Sequence, residues 1–142
     1  MDIHIHTDGG ARGNPGPAAI GVFVEVEGKS VGTLSEFIGT ATNNEAEYTA
    51  VVRAFEWLRN YEKEKSVPIG NVSFFIDSTL VAQQLNGRFK VKSAHLREMM
   101  TKIRMLEQDM GGIIRYFVIP REQNRRADLL VNQALDKQLY GS

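Results

Sequence analysis

The segment Thr42-Asn43-Asn44-Glu45-Ala46-Glu47 divides the chain into two patterns and thereby decides its fold class. Three strand-like stretches precede this segment, whereas helical and strand-like stretches alternate after it. Its first three residues are of the type that caps helix N-termini, so we predict a long helix from here to about residue 65. A three-strand meander followed by such alternation predicts an α/β fold, in which a mixed sheet carries helices on both faces.

The other elements follow from side-chain periodicity and from turn residues. Ile3 and Ile5 alternate with His4 and His6 in a first strand that ends near Asp8, and a turn rich in glycine and proline follows over residues 9–17. Further strands are predicted over residues 18–26, 31–39, 72–77 and 113–119, with a hairpin turn at residues 27–29. Further helices are predicted over residues 78–85, 94–110 and 124–140.

The composition is that of one globular domain, which we assign to residues 1–142. The chain has 17 Lys and Arg and 17 Asp and Glu, a balance that argues against a polybasic coat protein. It has no cysteine, which excludes disulfides, zinc–thiolate sites and cysteine nucleophiles. No run approaches the roughly 18 apolar residues of a membrane span. Since a strand pattern begins directly after Met1, without a signal peptide, we expect a cytoplasmic protein. We also expect a monomer with no membrane partner.

The balanced net charge hides an asymmetry between the two halves of the chain. Residues 1–71 hold 6 basic and 10 acidic side chains, whereas residues 72–142 hold 11 basic and 7 acidic ones. The basic residues concentrate in two clusters: Arg88, Lys90, Lys92, Arg97, Lys102 and Arg104, and then Arg121, Arg125 and Arg126. Such clusters either form solvated helix faces or follow a phosphate backbone, and charge alone leaves both possibilities open.

Four acidic residues fall at the ends of predicted elements. Asp8 ends the first strand and Asp77 ends the fourth, and ligands of open α/β sheets bind beyond the carboxyl ends of strands. Glu47 lies four residues before Val51, so it shares the inward face of the long helix. Asp128 lies one turn inside the last helix. If the two strands are adjacent and parallel, the fold brings these acids to one edge.

Each acid also has a local explanation: it could be a turn residue, an N-cap, or an acid in the first turn of a helix, where it interacts favourably with the helix dipole. The set of four points to chemistry, because two charges 4 Å apart repel by about 4 kcal/mol at an effective dielectric of 20. Hard oxygen ligands favour Mg²⁺ or Mn²⁺, and two such ions support an in-line phosphoryl displacement. The acids therefore suggest metal-assisted phosphodiester hydrolysis, with the basic half of the chain holding a polyanion.

Five motifs, in this order along nearly the whole chain, resemble those of the type 1 ribonuclease H family. They are Thr7-Asp8-Gly9-Gly10, Gly13-Asn14-Pro15-Gly16-Pro17, Thr42-Asn43-Asn44-Glu45-Ala46-Glu47, Asp77-Ser78 and Asn124-Arg125-Arg126-Ala127-Asp128. No single motif is specific, but the ordered set is.

The resemblance implies a ribonuclease H-like fold, with a five-stranded sheet of order 3-2-1-4-5 whose strand 2 is antiparallel. It implies that Asp8, Glu47, Asp77 and Asp128 are catalytic carboxylates that bind two Mg²⁺ or Mn²⁺ ions. It also implies cleavage of the RNA strand of an RNA/DNA hybrid, which leaves 5′-phosphate and 3′-hydroxyl ends.

The resemblance further implies a set of substrate-binding residues. Asn14, Asn43 and Asn44 match positions that contact the minor-groove side of the hybrid, and Thr42 matches one that helps to hold a phosphate of the DNA strand. We also expect substrate contacts from the glycines after Asp8, from the basic residues and from the asparagine before the last helix, namely Gly9, Gly10, Arg88, Lys90, Lys92, Arg121 and Asn124.

Two departures from well-known family members leave the activity open to alternatives. Residues 119–123 lack the histidine that many members carry before the last helix, and Arg121 or Glu122 could replace it in part. Residues 86–96 form only a short link instead of a basic protrusion, so double-stranded RNA becomes a possible second substrate. The alternatives are a catalytically weak module that binds nucleic acid or protein, and a related nuclease for DNA ends or Holliday junctions.

Overall fold

The structure is a computed structural model that describes residues 1–141. Its strands are β1 (Asp2–Ala11), β2 (Gly16–Val26), β3 (Lys29–Ala41), β4 (Asn71–Ile76) and β5 (Ile113–Val118). Its helices are α1 (Asn43–Lys65), α2 (Thr79–Leu85), α3 (Ala94–Met110) and α4 (Arg125–Tyr140). This confirms the predicted order of strands and helices. The sequence did not predict the 3₁₀ turn over Arg121–Gln123, which precedes α4.

The strands form one mixed sheet of order β3-β2-β1-β4-β5, as expected. β2 is antiparallel to β1 and to β3, whereas β4 is parallel to β1 and to β5. The hairpin between β2 and β3 turns at Glu27 and Gly28, whose φ angles of 50° and 78° match the positive angles of the tight turn that joins twisted strands. β1 continues past Asp8, because Gly9, Gly10 and Ala11 still pair with β2.

Helices cover both faces of the sheet, and the alternation of side chains along β2 shows how. Ile20 belongs to the large core under α1, α2 and α3, whereas its neighbour Ala19 belongs to a small cluster with Val131, Ala134 and Leu135 of α4. Among residues 1–141, none of the helices combines the length and hydrophobicity that a bilayer crossing needs.

Glycines in the two central strands allow both flanking helices to approach the sheet closely. A side chain at Gly9 of β1 would meet the backbone of Ala46 and Glu47 in α1. A side chain at Gly21 of β2 would meet the backbone of Ala127 in α4. Gly21 pairs directly with Asp8, so these two contacts bring the starts of α1 and α4 to one point of the sheet.

We expect Gly9→Ala to lower the free energy of unfolding by about 1–3 kcal/mol, because the new methyl group meets rigid helix backbone. Urea denaturation measures this loss. Gly10→Ala is the matched control, since its methyl group meets only the Val131 side chain at 3.7 Å. Similar losses in both variants would contradict the close approach of α1.

Candidate active site

Three carboxylates meet at the carboxyl edge of the sheet. Thr7 of β1 pairs with Ile76 of β4, so the residues that follow them, Asp8 and Asp77, come side by side. Glu47 reaches the same point from the first turns of α1. One oxygen from each of Asp8, Glu47 and Asp77 lies within 4.8 Å of the others. The sheet topology therefore brings these three acids together at one edge, as their positions at the ends of the predicted strands and helix indicated.

Asp128 of α4 is the fourth acid of the same cleft, although it lies outside the group of three oxygens. Its charge and a side-chain hydrogen bond with Asp8 both act on that carboxyl. The four acids line one opening of about 510 Å³, which we call the carboxylate cleft. Residues from β1, α1, α4 and the intervening turns line it, among them Asp8, Gly9, Gly10, Asn43, Asn44, Glu47, Asp77, Ser78, Arg121 and Asp128.

Burial gives two of the carboxyls unusual protonation behaviour. Burial raises the pKa of Asp8 to about 7, while a hydrogen bond from Glu47 lowers it and the charges of Asp77 and Asp128 raise it further. Burial also raises the pKa of Glu47 well above its ordinary range, and so does its hydrogen bond with Asp8. The Gly9 amide donates to Glu47 Oε1 at 2.7 Å, which opposes this rise.

The donor set fits a divalent cation. The cluster offers hard carboxylate oxygens on three elements, and the chain has no thiolate to favour a softer metal. None of the ion pairs within residues 1–141 joins a cation to these acids: Arg12 lines the cleft but pairs with Asp136 at 2.7 Å, and Arg121 lines the cleft without an ion pair to any of them. A bound divalent ion would supply the positive charge that the crowded carboxylates need.

Asn124 has a different position from that expected for a substrate contact, because its side chain is fully buried. Its Nδ2 donates to the Thr7 carbonyl at 2.9 Å and to Asp77 Oδ2 at 3.0 Å. The 3₁₀ turn over Arg121–Gln123 folds Asn124 under the end of the sheet, and its amide NH donates to the Arg121 carbonyl. Asn124 therefore ties the Asp77 carboxylate to the end of β1.

The polar residues at the start of α1 hold the neighbouring backbone. Asn14 Oδ1 accepts from the Asn43 amide, and Asn43 Oδ1 accepts from the Ala11 amide, each at 2.9 Å. Thr42 is the N-cap of α1: its hydroxyl accepts from the Glu45 amide, and Glu45 accepts in return from the Thr42 amide. The start of α1 is therefore rigidly attached to the turn between β1 and β2.

The asparagines extend the carboxylate cleft into a second hollow of about 540 Å³. Asn43 and Asn44 line both openings, and Asn14, Thr42, Glu45, Ser93 and Leu96 line only the second. The predicted substrate residues of α1 thus form one surface with the carboxylates. Sequence analysis missed Ser93, whose only signal is that it caps the N-terminus of α3.

The structure separates the basic residues that the sequence grouped as substrate contacts. Arg121 lines the carboxylate cleft, whereas Glu122, the other proposed substitute for the absent histidine, lines a different hollow beside His6. Arg88 lies in a groove against the edge strand β5, away from the carboxylates. Lys90 and Lys92 are exposed in the link between α2 and α3.

The glycine after Asp8 has a structural role that does not depend on substrate. Gly9 has no side chain because α1 occupies that space, so the approach of nucleic acid is not needed to explain it. Gly10 also lines the cleft, and the nearest atom to an added methyl group is in the Val131 side chain.

Comparisons with known proteins agree on one family. A family model described as reverse transcriptase-like matches residues 6–134. Ribonuclease HI of Halobacterium salinarum is 37% identical over 137 residues, which cover 94% of this chain and 64% of the relative. A bifunctional protein of Mycobacterium tuberculosis is 35% identical over 140 residues, and the match covers 36% of its length. The chain thus spans less than two thirds of these curated relatives.

Two solved structures match over almost their whole length. LC11-RNase H1 in complex with an RNA/DNA hybrid superimposes with a TM-score of 0.91 and 43% identity, and the match covers 97% of this chain and 99% of that one. RNase H1 from Halobacterium salinarum superimposes with a TM-score of 0.87 and 35% identity, covering 96% and 99% of the two chains.

The raised pKa of Asp8 predicts how stability depends on pH without metal. The folded protein holds a proton up to about pH 7, whereas the unfolded chain releases it near 3.8. Between these values the folded state binds more protons, so this carboxyl makes stability fall as the pH rises. We expect the free energy of unfolding to fall less steeply with pH in Asp8→Asn than in the parent. The effect at pH 8 is on the order of a few kcal/mol.

Urea denaturation in EDTA between pH 4 and 8 measures this effect as the difference in the free energy of unfolding between the parent and Asp8→Asn. The exposed Asp109 of α3 provides a control, since Asp109→Asn should keep the slope of the parent. Mg²⁺ at pH 8 should stabilise the parent more than Asp8→Asn. Parallel curves for parent and Asp8→Asn would show that Asp8 does not carry the proton.

Proposed function

Because the chain belongs to the type 1 ribonuclease H family, we propose that it is a metal-dependent endoribonuclease that hydrolyses the RNA strand of RNA/DNA hybrids. The observation that carries this proposal is the meeting of Asp8, Glu47 and Asp77 in a cleft that also contains Asp128. The similarity to LC11-RNase H1, whose structure contains an RNA/DNA hybrid, supports this choice of substrate.

In this proposal the four acids are the catalytic and metal-binding residues: Asp8, Glu47, Asp77 and Asp128. Two Mg²⁺ or Mn²⁺ ions held by these residues would stabilise the charge on an attacking water oxygen and on the departing 3′-oxygen. When water attacks the phosphorus and the P–O3′ bond breaks, one product keeps a 5′-phosphate and the other a 3′-hydroxyl. The close spacing and burial of the carboxyls support such a role, because they raise the energy of the ionised cluster without a cation.

The chain's own residues position these carboxylates before the substrate arrives. The Gly9 amide fixes one oxygen of Glu47, and the Asn124 side chain fixes one oxygen of Asp77. Each of these donors is itself held by the end of β1. Preorganised groups of this kind lower the cost of assembling the reactive geometry. Arg121 adds a guanidinium at the cleft, where it can pair with a substrate phosphate.

The asparagines supply a physical basis for selecting RNA. The side-chain oxygens of Asn14 and Asn43 accept from backbone amides, which leaves their Nδ2 groups as donors. A 2′-hydroxyl accepts hydrogen bonds and distinguishes RNA from DNA. We propose that Asn14, Asn43 and Asn44 contact ribose hydroxyls along the second hollow, with Thr42 near a phosphate of the DNA strand.

Double-stranded RNA is a second candidate substrate. The link between α2 and α3 is short, with Lys90 and Lys92 exposed and no inserted helix. Contacts with the hybrid are therefore concentrated at the asparagines and the cleft. Since RNA duplexes also carry 2′-hydroxyls along a wide minor groove, such contacts discriminate weakly between the two duplexes.

The test incubates end-labelled RNA/DNA, RNA/RNA and DNA/DNA duplexes with Mg²⁺, Mn²⁺ or EDTA. We expect cutting only with a metal ion, only of the RNA/DNA duplex, and only in its RNA strand. Gel analysis of the labelled ends identifies the strand and the product termini. Additional cutting of RNA/RNA would support the second candidate. Binding without cutting under any metal would instead indicate a binding module, and cutting of DNA/DNA would indicate a different nuclease.

Asp77→Asn should nearly abolish cleavage, with a loss of at least about 100-fold, because it removes a carboxylate of the cluster while keeping the side chain's size. It should also raise the thermal stability of the metal-free protein, since one repelling charge is lost. Asp109→Asn is the control and should change neither property. A variant that cuts as fast as the parent would remove Asp77 from the catalytic set.

A further inference from the structure

A ladder of stacked rings crosses the face of the sheet on which Asp8 and Asp77 lie. The His6 and Phe75 rings stack at a centroid distance of 4.9 Å and an angle of 24°. The Phe75 and Phe117 rings stack at 5.7 Å and 22°. β5 is the edge strand, so the ladder ends at Phe117, whose outer side meets no further strand. Phe117 is 43% exposed.

A cationic groove runs along β5 at the end of this ladder. Its opening of about 440 Å³ lies between β5 and the end of α2, and both Arg88 and Arg115 line it beside Phe117. No carboxylate is among its lining residues in the described chain. Arg88 and Arg115 also take part in none of the ion pairs found within residues 1–141. The groove therefore combines unpaired positive charge with an exposed aromatic ring.

We propose that this β5 groove binds a single-stranded segment of nucleic acid. A nucleobase would continue the ring ladder on the outer side of Phe117, and Arg88 and Arg115 would hold the phosphates on either side. Stacking and phosphate pairing are the two interactions with which proteins bind single strands without reading their sequence. An acidic peptide would satisfy the two arginines but would gain nothing from an exposed ring at the end of a stack.

The groove lies close to the candidate active site. The proposal that it binds a single-stranded part of the substrate therefore rests on the proposed function. Phe75 precedes Asp77 by two residues and pairs with Phe117, so the end of the ladder lies about 7 Å along the strands from the carboxylate row and one strand to the side. An unpaired end of a bound hybrid that runs from the carboxylate cleft toward β5 would have to cross only this interval to reach the groove.

Fluorescence anisotropy in EDTA tests this binding separately from cleavage. The probes are a labelled blunt RNA/DNA hybrid, the same hybrid with a 5′ or a 3′ single-stranded extension, and the RNA and DNA extensions alone. For the parent protein we expect one extension to raise the affinity for the hybrid at least about fivefold, the lower end of what one base–aromatic stack supplies. No gain from either extension, together with no binding of the free strands, would overturn the proposal.

Two variants locate the gain. Phe117→Ser and Arg115→Gln should each remove the gain and leave the affinity for the blunt hybrid unchanged. Arg115→Gln should also reduce the slope of log K against log salt concentration for the free strand by about 0.7, the contribution of one lost phosphate contact. Phe37→Ser is the matched control, because Phe37 is 39% exposed on the opposite edge strand, and it should keep the full gain.

Each outcome separates the groove from the active site. If the hybrid is neither bound nor cut while the free strands bind through Phe117, the proposed function fails and the groove stands. If the blunt hybrid is bound and cut but the extensions add nothing and the free strands do not bind, only the groove fails. A concentration-dependent dimer in analytical ultracentrifugation that Phe117→Ser abolishes would assign β5 to a second copy and overturn the proposal.

Discussion

The packing of the α1 backbone directly against Gly9 of β1 is the contact on which the candidate site depends. Because no side chain separates the two segments, the Gly9 amide reaches Glu47 at 2.7 Å and holds it beside Asp8. The same closeness occurs on the other face, where α4 lies against Gly21, the pairing partner of Asp8. Two helices on opposite faces can therefore deliver their acids to one strand.

This arrangement has an energetic cost that the rest of the fold must offset. Acids that repel each other are crowded at a point where burial already disfavours their ionised forms. A large apolar core under α1 and the hydrogen bonds of Asn124 keep the site assembled despite this repulsion. Local strain of this kind is common where a protein binds charged ligands, since the ligand supplies the missing interaction.

Much of the fold and of the carboxylate set could be predicted from the sequence, because their signals are local. Alternating apolar residues mark the strands, Thr42 and Glu45 mark the start of α1, and the inward stripe of α1 already separates Glu47 from Glu45. The roles of Asn124 and Arg88 could not be predicted in this way. The 3₁₀ turn that buries Asn124 has no strong sequence signal, and Arg88 faces β5 only because of how the link folds.

The sequence by itself determined which residue types are available and at which element ends they lie, since periodicity, capping and turn chemistry act over a few residues. Only the tertiary structure decided which of them meet. The parallel pairing of β1 with β4 places Asp8 beside Asp77, and burial raises the pKa of Asp8 to about 7. The edge position of β5 leaves one face of Phe117 open. Burial and proximity depend on contacts between residues far apart in the chain, and no local pattern encodes them.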